Sequence, residues 1–239
     1  MPSGLSRRVA IAPALALLVV SARSAGPAPA TQIPPILERF LALDDPAPTQ
    51  YRALRHLEAQ NDRFEKSAWM DAWTESDSSG FRYRIVAEGG SEYIRNRVLR
   101  ASLETERKMW ESGAPGKAGF TLANYTFEDR GPHADGLAAL AVKPRRKDLL
   151  LVDGVIFLRP DDGELVRLEG ELAKNPSFWT RRVHIVRHYQ RFLGIRMPVA
   201  LETTAAVRIA GRSTFRVTYE YESINGQHLG NPQTRVASR

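Results

Sequence analysis

Phe215-Arg216-Val217-Thr218-Tyr219-Glu220-Tyr221-Glu222 sets large apolar or aromatic residues at every odd position and polar or charged ones at every even position. Side chains alternate between the two faces of a strand, so this stretch predicts a strand with one buried face and one wet face. It closes a longer run, beginning at Leu149, of short apolar segments separated by turn signals. Asp153-Gly154, Asp161-Asp162-Gly163, Asn175-Pro176, Gly194 with Pro198, Gly211-Arg212-Ser213 and Ile224-Asn225-Gly226 supply those signals. No interval between 149 and 222 has room for a crossover helix, so neighbouring strands pair antiparallel, as a meander. A long twisted sheet curls, and its apolar concave face needs a cover.

Upstream residues supply that cover. Residues 34–60 predict two short helices. Pro35 opens the first, Leu37, Phe40 and Leu41 form its stripe, and Asp44-Asp45-Pro46 stops it. Thr49 caps the second, with Tyr51, Leu54 and Leu57 on one face. Strand pattern then begins near Phe64. Phe64, Ala68, Met70 and Ala72 share one face, and Glu65, Trp69, Asp71, Trp73 and Glu75 the other. Asp77-Ser78-Ser79-Gly80 turns the chain into a partner strand carrying Phe81, Tyr83 and Ile85. Ser91 opens a helix to about Glu111, with Ile94, Val98 and Ala101 on one stripe, Leu99 and Leu103 beside it, and Arg100–Glu104 and Glu104–Lys108 as charge pairs. The fold class expected is α+β, mainly β: a curved antiparallel sheet, an unclosed barrel, with helices over its concave face. The boundaries are a leader at 1–30, N-terminal helices at 31–62, a β domain at 63–230 with an inserted helix at about 91–111, and a polar tail at 231–239.

The chain has 239 residues, 43% of them hydrophobic and 26% charged, which excludes a mostly disordered protein. It has no cysteine, so disulfides, thiolate metal sites, cysteine nucleophiles and an N-terminal lipidated cysteine are excluded. Arg7-Arg8, the apolar run Val9–Val20 and the small residues up to Ala30 have the layout of a secretory signal peptide, cleaved between Ala22 and Ala30. The run is shorter than the roughly 20 residues that span a bilayer. The formal net charge is +7; residues 1–30 hold three of the bases and no acid, which leaves +4 on the rest. That surplus is interleaved with acids, a solvated surface and not a nucleic-acid footprint. Periplasmic export is the localisation expected.

No stretch carries a catalytic signature. His184 and His188 sit in a strand-like setting, where four residues span roughly 13 Å, too far for two ligands of one zinc. Gly113-Ala114-Pro115-Gly116-Lys117-Ala118 lacks both the leading glycine and the Ser or Thr of a phosphate loop. Trp69 and Trp73, beside Asp71 and Glu75, form either a half-covered outer face or a sugar platform. No metal or cofactor is called for.

The strand-and-turn run Val152–Gly170, the Pro176-Ser177-Phe178-Trp179 step, Met197-Pro198-Val199 and Ser213–Gly226 resemble the bacterial outer-membrane lipoprotein sorting family, of LolA/LolB-like fold. The resemblance implies an unclosed barrel with helices across its concavity, and non-catalytic binding of acyl chains there; the same fold also serves as a periplasmic sensor. Lipid or an acylated protein is then the partner, with an envelope protein as a second candidate. The lining expected is Met70, Phe81, Tyr83, Ile85, Leu168, Val217 and Tyr219. The alternative is a protein-interaction or structural module with a fully packed core.

Overall fold

Pro35 begins α1, Pro35–Ala42, where its missing N–H is no loss, and the helix buries Ile36, Leu37 and Phe40. In this computed structural model, which describes residues 33–112, 119–174, 180–207 and 211–229, the remaining regular structure is sheet apart from one further helical stretch. The expected leader, the Asn175-Pro176 turn, the Pro176–Trp179 step, Ile209 and the polar tail lie outside the described residues. The strands are β1 (Tyr51–Asn61), β2 (Lys66–Asp77), β3 (Gly80–Gly90), β4 (Tyr125–Pro132), β5 (Ala138–Pro144), β6 (Val152–Leu158), β7 (Leu165–Leu172), β8 (Thr180–Phe192), β9 (Ile195–Val207), β10 (Gly211–Ile224) and the two-residue β11 (Gln227–His228). Between β3 and β4 the chain forms one helical stretch, here α2: a turn Glu92–Ile94, a π-helical run Arg95–Arg100 and an α-helix Ala101–Glu111.

The strands lie in the order β3-β2-β1-β10-β9-β8-β7-β6-β5-β4, with β11 beside β10. Every pairing is antiparallel. The architecture is thus two meanders, β1–β3 and β4–β10, joined where β1 pairs with β10 over Tyr51↔Ile224 to Asn61↔Ser213. Among the described residues β3 and β4 remain unpaired edges, so the curled sheet is not closed. The chain must still travel from one edge to the other, and α2 lies on that connection. A helix placed there falls across the concave face.

Four expectations are corrected. Residues 51–61 form β1 and not a second helix. Tyr51, Ala53, Arg55, Leu57 and Ala59 alternate with more exposed residues along it, and the inward arginine is what hid the period of two. Asp153-Gly154 is not a turn but the interior of β6: Gly154 lies opposite Gly170 of β7, and a Cβ on it would meet the Glu169 carbonyl oxygen at 2.0 Å. Glycine is there for close approach of two backbones. The buried stripe of α2 is Ile94, Leu99 and Leu103, while Val98 is 37% exposed and Ala101 exposed. The π run inserts a wider turn, so Ile94 and Leu99, five residues apart, share a face. Its charges follow the same phase: Arg100 pairs with Glu88, and Glu104 with Arg107. Finally, Phe64 stands in the β1–β2 turn, 54% exposed, and not on the inner face of β2.

Two apolar cores result. One lies between α2 and β1–β3 with β9 and β10, around Leu57, Met70, Phe81, Leu99, Leu103 and Val217. The other lies between α1 and β4–β8, around Phe40, Tyr125, Leu140, Ile156, Leu165 and Leu168. Leu201 of β9 packs at the margin of both.

Candidate functional site

The register lines up one row of inward-facing residues across the sheet: Glu88, Met70, Leu57, Val217, Leu201, Arg187, Leu168, Ile156, Leu140. At the β3 end α2 covers it, and at the β5 end the α1 core does. Met70, Leu57, Val217, Leu168, Ile156 and Leu140 are accordingly buried. In the middle strands the cover thins. Arg187 and Tyr189 on β8, Leu201 and Thr203 on β9, and Phe215 and Tyr219 on β10 are only half-buried. This half-buried strip between the two covered halves sets Leu201, Phe215 and Tyr219 beside one cation, Arg187.

The lid α2 is held by polar clasps as well as by its apolar stripe. Arg55, 4% exposed on β1, donates from Nη1 to Glu106 Oε2 at 2.6 Å and from Nη2 to Glu106 Oε1 at 3.0 Å and to the Tyr51 hydroxyl at 2.8 Å. Its guanidinium lies 4.7 Å from the centroid of the Tyr219 ring and 5.2 Å from that of Phe81. A bidentate guanidinium–carboxylate pair of this kind carries geometric specificity as well as energy. Glu88 on β3 accepts from Arg95 Nη1 at 2.8 Å and from Arg100 Nη2 at 2.7 Å. The Tyr83 hydroxyl donates to Glu104. Burial pushes the phenols of Tyr219 and Tyr221 up, so both remain neutral, and the Tyr221 hydroxyl donates to the Pro198 carbonyl at 2.8 Å. The lid α1 is fastened by Arg39, which donates to the Pro160 carbonyl at 2.7 Å, and by Asp45, paired with Arg191 and Arg196. Asp45 is therefore an ion-pair residue and not only a stop for the helix.

All seven residues expected to line a cavity project from the concave side. Met70, Phe81 and Val217 are buried beneath α2, and Leu168 is buried in the α1 core. Tyr83 and Ile85 are half-buried and pack against the α2 core from the edge strand. Tyr219 is half-buried in the strip between the two cores and packs against the α2 core. Sequence reasoning missed Arg187, Tyr189, Leu201 and Phe215. The inward arginine broke the alternation of β8 as Arg55 broke that of β1, and polar residues in a strand were read as outward.

On the outer face Trp69 stacks on His56, and the Arg52 guanidinium lies 4.6 Å from the centroid of the Trp73 ring. His56 Nδ1 meets Asp71 Oδ1 at 2.6 Å, and Glu75 meets Arg52 and Arg82. The carboxylates beside the tryptophans are thus engaged by cations. His184 lies opposite Glu171 and His188 opposite Arg167 on the neighbouring strand. Among the described residues no cluster of three or more candidate ligands gathers to hold a metal ion.

The geometry defines a class: an open antiparallel half-barrel whose concave face lies under two helices. The chain is similar to the solved structure of a domain described as an outer membrane lipoprotein-sorting protein from Vibrio parahaemolyticus, at 12% identity over 85% of this chain and 97% of that one, with a TM-score of 0.40. It is similar also to a LolA superfamily protein from Nitrosomonas europaea, at 11% identity over 83% and 94% of the two chains, with a TM-score of 0.39. No family model matches the chain, and no curated protein does.

Proposed function

We propose that the protein is an exported, non-catalytic carrier or sensor that holds the alkyl chain of a lipid or acylated protein in the concave trough. The observation that carries this reading is the half-buried strip of Leu201, Phe215 and Tyr219 between the two halves of one sheet face that α1 and α2 cover. Each methylene moved from water onto such a floor contributes about 0.8 kcal/mol. A chain of a dozen carbons then has a gross stabilisation on the order of 10 kcal/mol to set against the costs of association. Where the chain is longer than the strip, displacement of α2 would uncover Met70, Phe81, Tyr83, Ile85 and Val217, and displacement of α1 would uncover Leu168. The leader-like N-terminus supports export to the periplasm. Among the described residues no helix is long and apolar enough to cross a membrane.

Native mass spectrometry of the protein purified from cells tests the reading. The expected spectrum contains the chain mass plus one lipid-sized adduct, removed by organic extraction. A clean apo mass with a stably bound protein overturns it in favour of an interaction module. That second reading has its own support: Val86 beside the lid, and Tyr93 and Val98 on it, are 45%, 69% and 37% exposed. Apolar residues on a lid and its edge strand are suited to docking on a partner.

A further inference from the structure

Arg187 interrupts a row that is otherwise apolar from Met70 to Leu140. Its cross-strand neighbours on the concave face are Leu168 and Leu201. The other buried or half-buried arginines among the described residues are Arg52, Arg55, Arg95, Arg100, Arg167, Arg191 and Arg196, and each meets a carboxylate. Arg187 forms no such ion pair among the described residues. The carboxylate whose field reaches it, Glu106, is engaged by Arg55. A guanidinium cannot shed its proton, and a charge on an apolar floor is costly unless paired.

Resting on the carrier reading above, we infer that the ligand is a long-chain fatty acid whose carboxylate pairs with Arg187, its chain lying over Leu201 and Phe215. One uncompensated cation calls for one negative charge. A planar guanidinium matches a carboxylate in bidentate fashion, and a half-buried site raises the weight of that pair above its weight at the surface. The site then selects an acid headgroup and accepts any chain that fits the trough.

The test compares a fluorescent long-chain fatty acid with its methyl ester, titrated into the delipidated full-length protein. The wild type is expected to bind the acid about tenfold or more tightly than the ester, the effect of a hydrogen-bonded charge pair. Arg187→Met should bring the two affinities together by weakening the acid alone, with its circular dichroism unchanged. Arg187→Lys, which keeps the charge without the fork, should retain part of the preference. Equal binding of acid and ester by the wild type overturns the inference, whatever the variants do, and leaves the carrier reading standing. A folded Arg187→Met variant with the wild-type ratio overturns it too. If neither probe binds, the carrier reading falls and this inference with it.

Discussion

Arg55 and Glu106 are unequal partners. Arg55 is 4% exposed and Glu106 31% by side chain, so removing one does not cost what removing the other does. Glu106→Gln strands a buried guanidinium with a neutral partner, and the expected loss is about 3 kcal/mol of unfolding free energy. Arg55→Met leaves a carboxylate that can turn to water while the methionine fills the space over Tyr219, so its loss should be smaller. Urea unfolding of both variants checks the order; a costlier Arg55→Met would show that Glu106 is the trapped charge. His56 supplies a pH dependence. Burial opposes its charge, but hydrogen bonds to Asp71 and Glu58 outweigh this and hold its pKa above the ordinary value. A raised folded-state pKa means that its contribution to stability is complete below about pH 6.5, the unfolded value, and is lost as pH rises through the folded value. Stability should therefore fall between pH 6 and 8 by more in the wild type than in His56→Gln, and the imidazole resonances should titrate above 6.5. Asp71→Asn should bring that titration down. Arg55 and Arg187 also mark where a sequence stops being readable. Binary patterning takes a charge in a strand as outward, and the inward side chains of Arg55 and Arg187 reverse that rule, one in a buried pair and one in the half-buried strip.

At the scale of elements, the alternating strands were legible because one face packs and the other is wet. Phe215–Glu222, the Asp77–Gly80 turn and the Asn225-Gly226 turn, where both residues have positive φ, each follow from local rules. What misled was a signal with two physical causes. Asp-Gly favours a hairpin, yet a glycine within a strand also permits close approach of a neighbour, and only the register decides between them. Gly154 and Gly170 face each other across β6 and β7, and a Cβ on Gly154 would reach the Gly170 Cα at 2.6 Å as well as the Glu169 carbonyl oxygen. Since the obstacles are backbone atoms, Gly154→Val must separate the ladder. A loss of at least about 2 kcal/mol is expected, in the range of overpacked interiors or beyond it. A thermal midpoint within a degree of the wild type would place the two strands farther apart than described. The phase of α2 was illegible for a similar reason: a π turn leaves no composition of its own, and the stripe can be drawn through Val98 as readily as through Leu99 until the sheet selects one.

At the scale of the whole molecule, the topology makes α2 both the connection between the two edges and the lid over the first core. Its opening would break no strand ladder, because what holds it is Ile94, Leu99 and Leu103 together with the clasps Arg55–Glu106, Tyr83–Glu104 and Glu88 with Arg95 and Arg100. The sheet beneath has its own support in the long β8–β9 and β1–β10 ladders. Local opening of a lid on a persistent sheet gives two classes of amide in hydrogen exchange: those of α2, released by a partial opening, and those of the central ladders, released by global unfolding. Loosening a clasp should shift one class more than the other. In Glu106→Gln, exchange in 101–111 is expected to accelerate by the full effect of the lost pair on lid opening, while the β8–β9 amides accelerate only as far as global stability falls. A saturating fatty acid in the wild type should slow the 101–111 class, because the lid then closes over an occupied trough and binding stabilises the closed state by mass action. If the helix and ladder amides exchange at one common rate in every sample, the lid and sheet open together, and a ligand has to enter along the uncovered strip over Leu201 without any movement of α2.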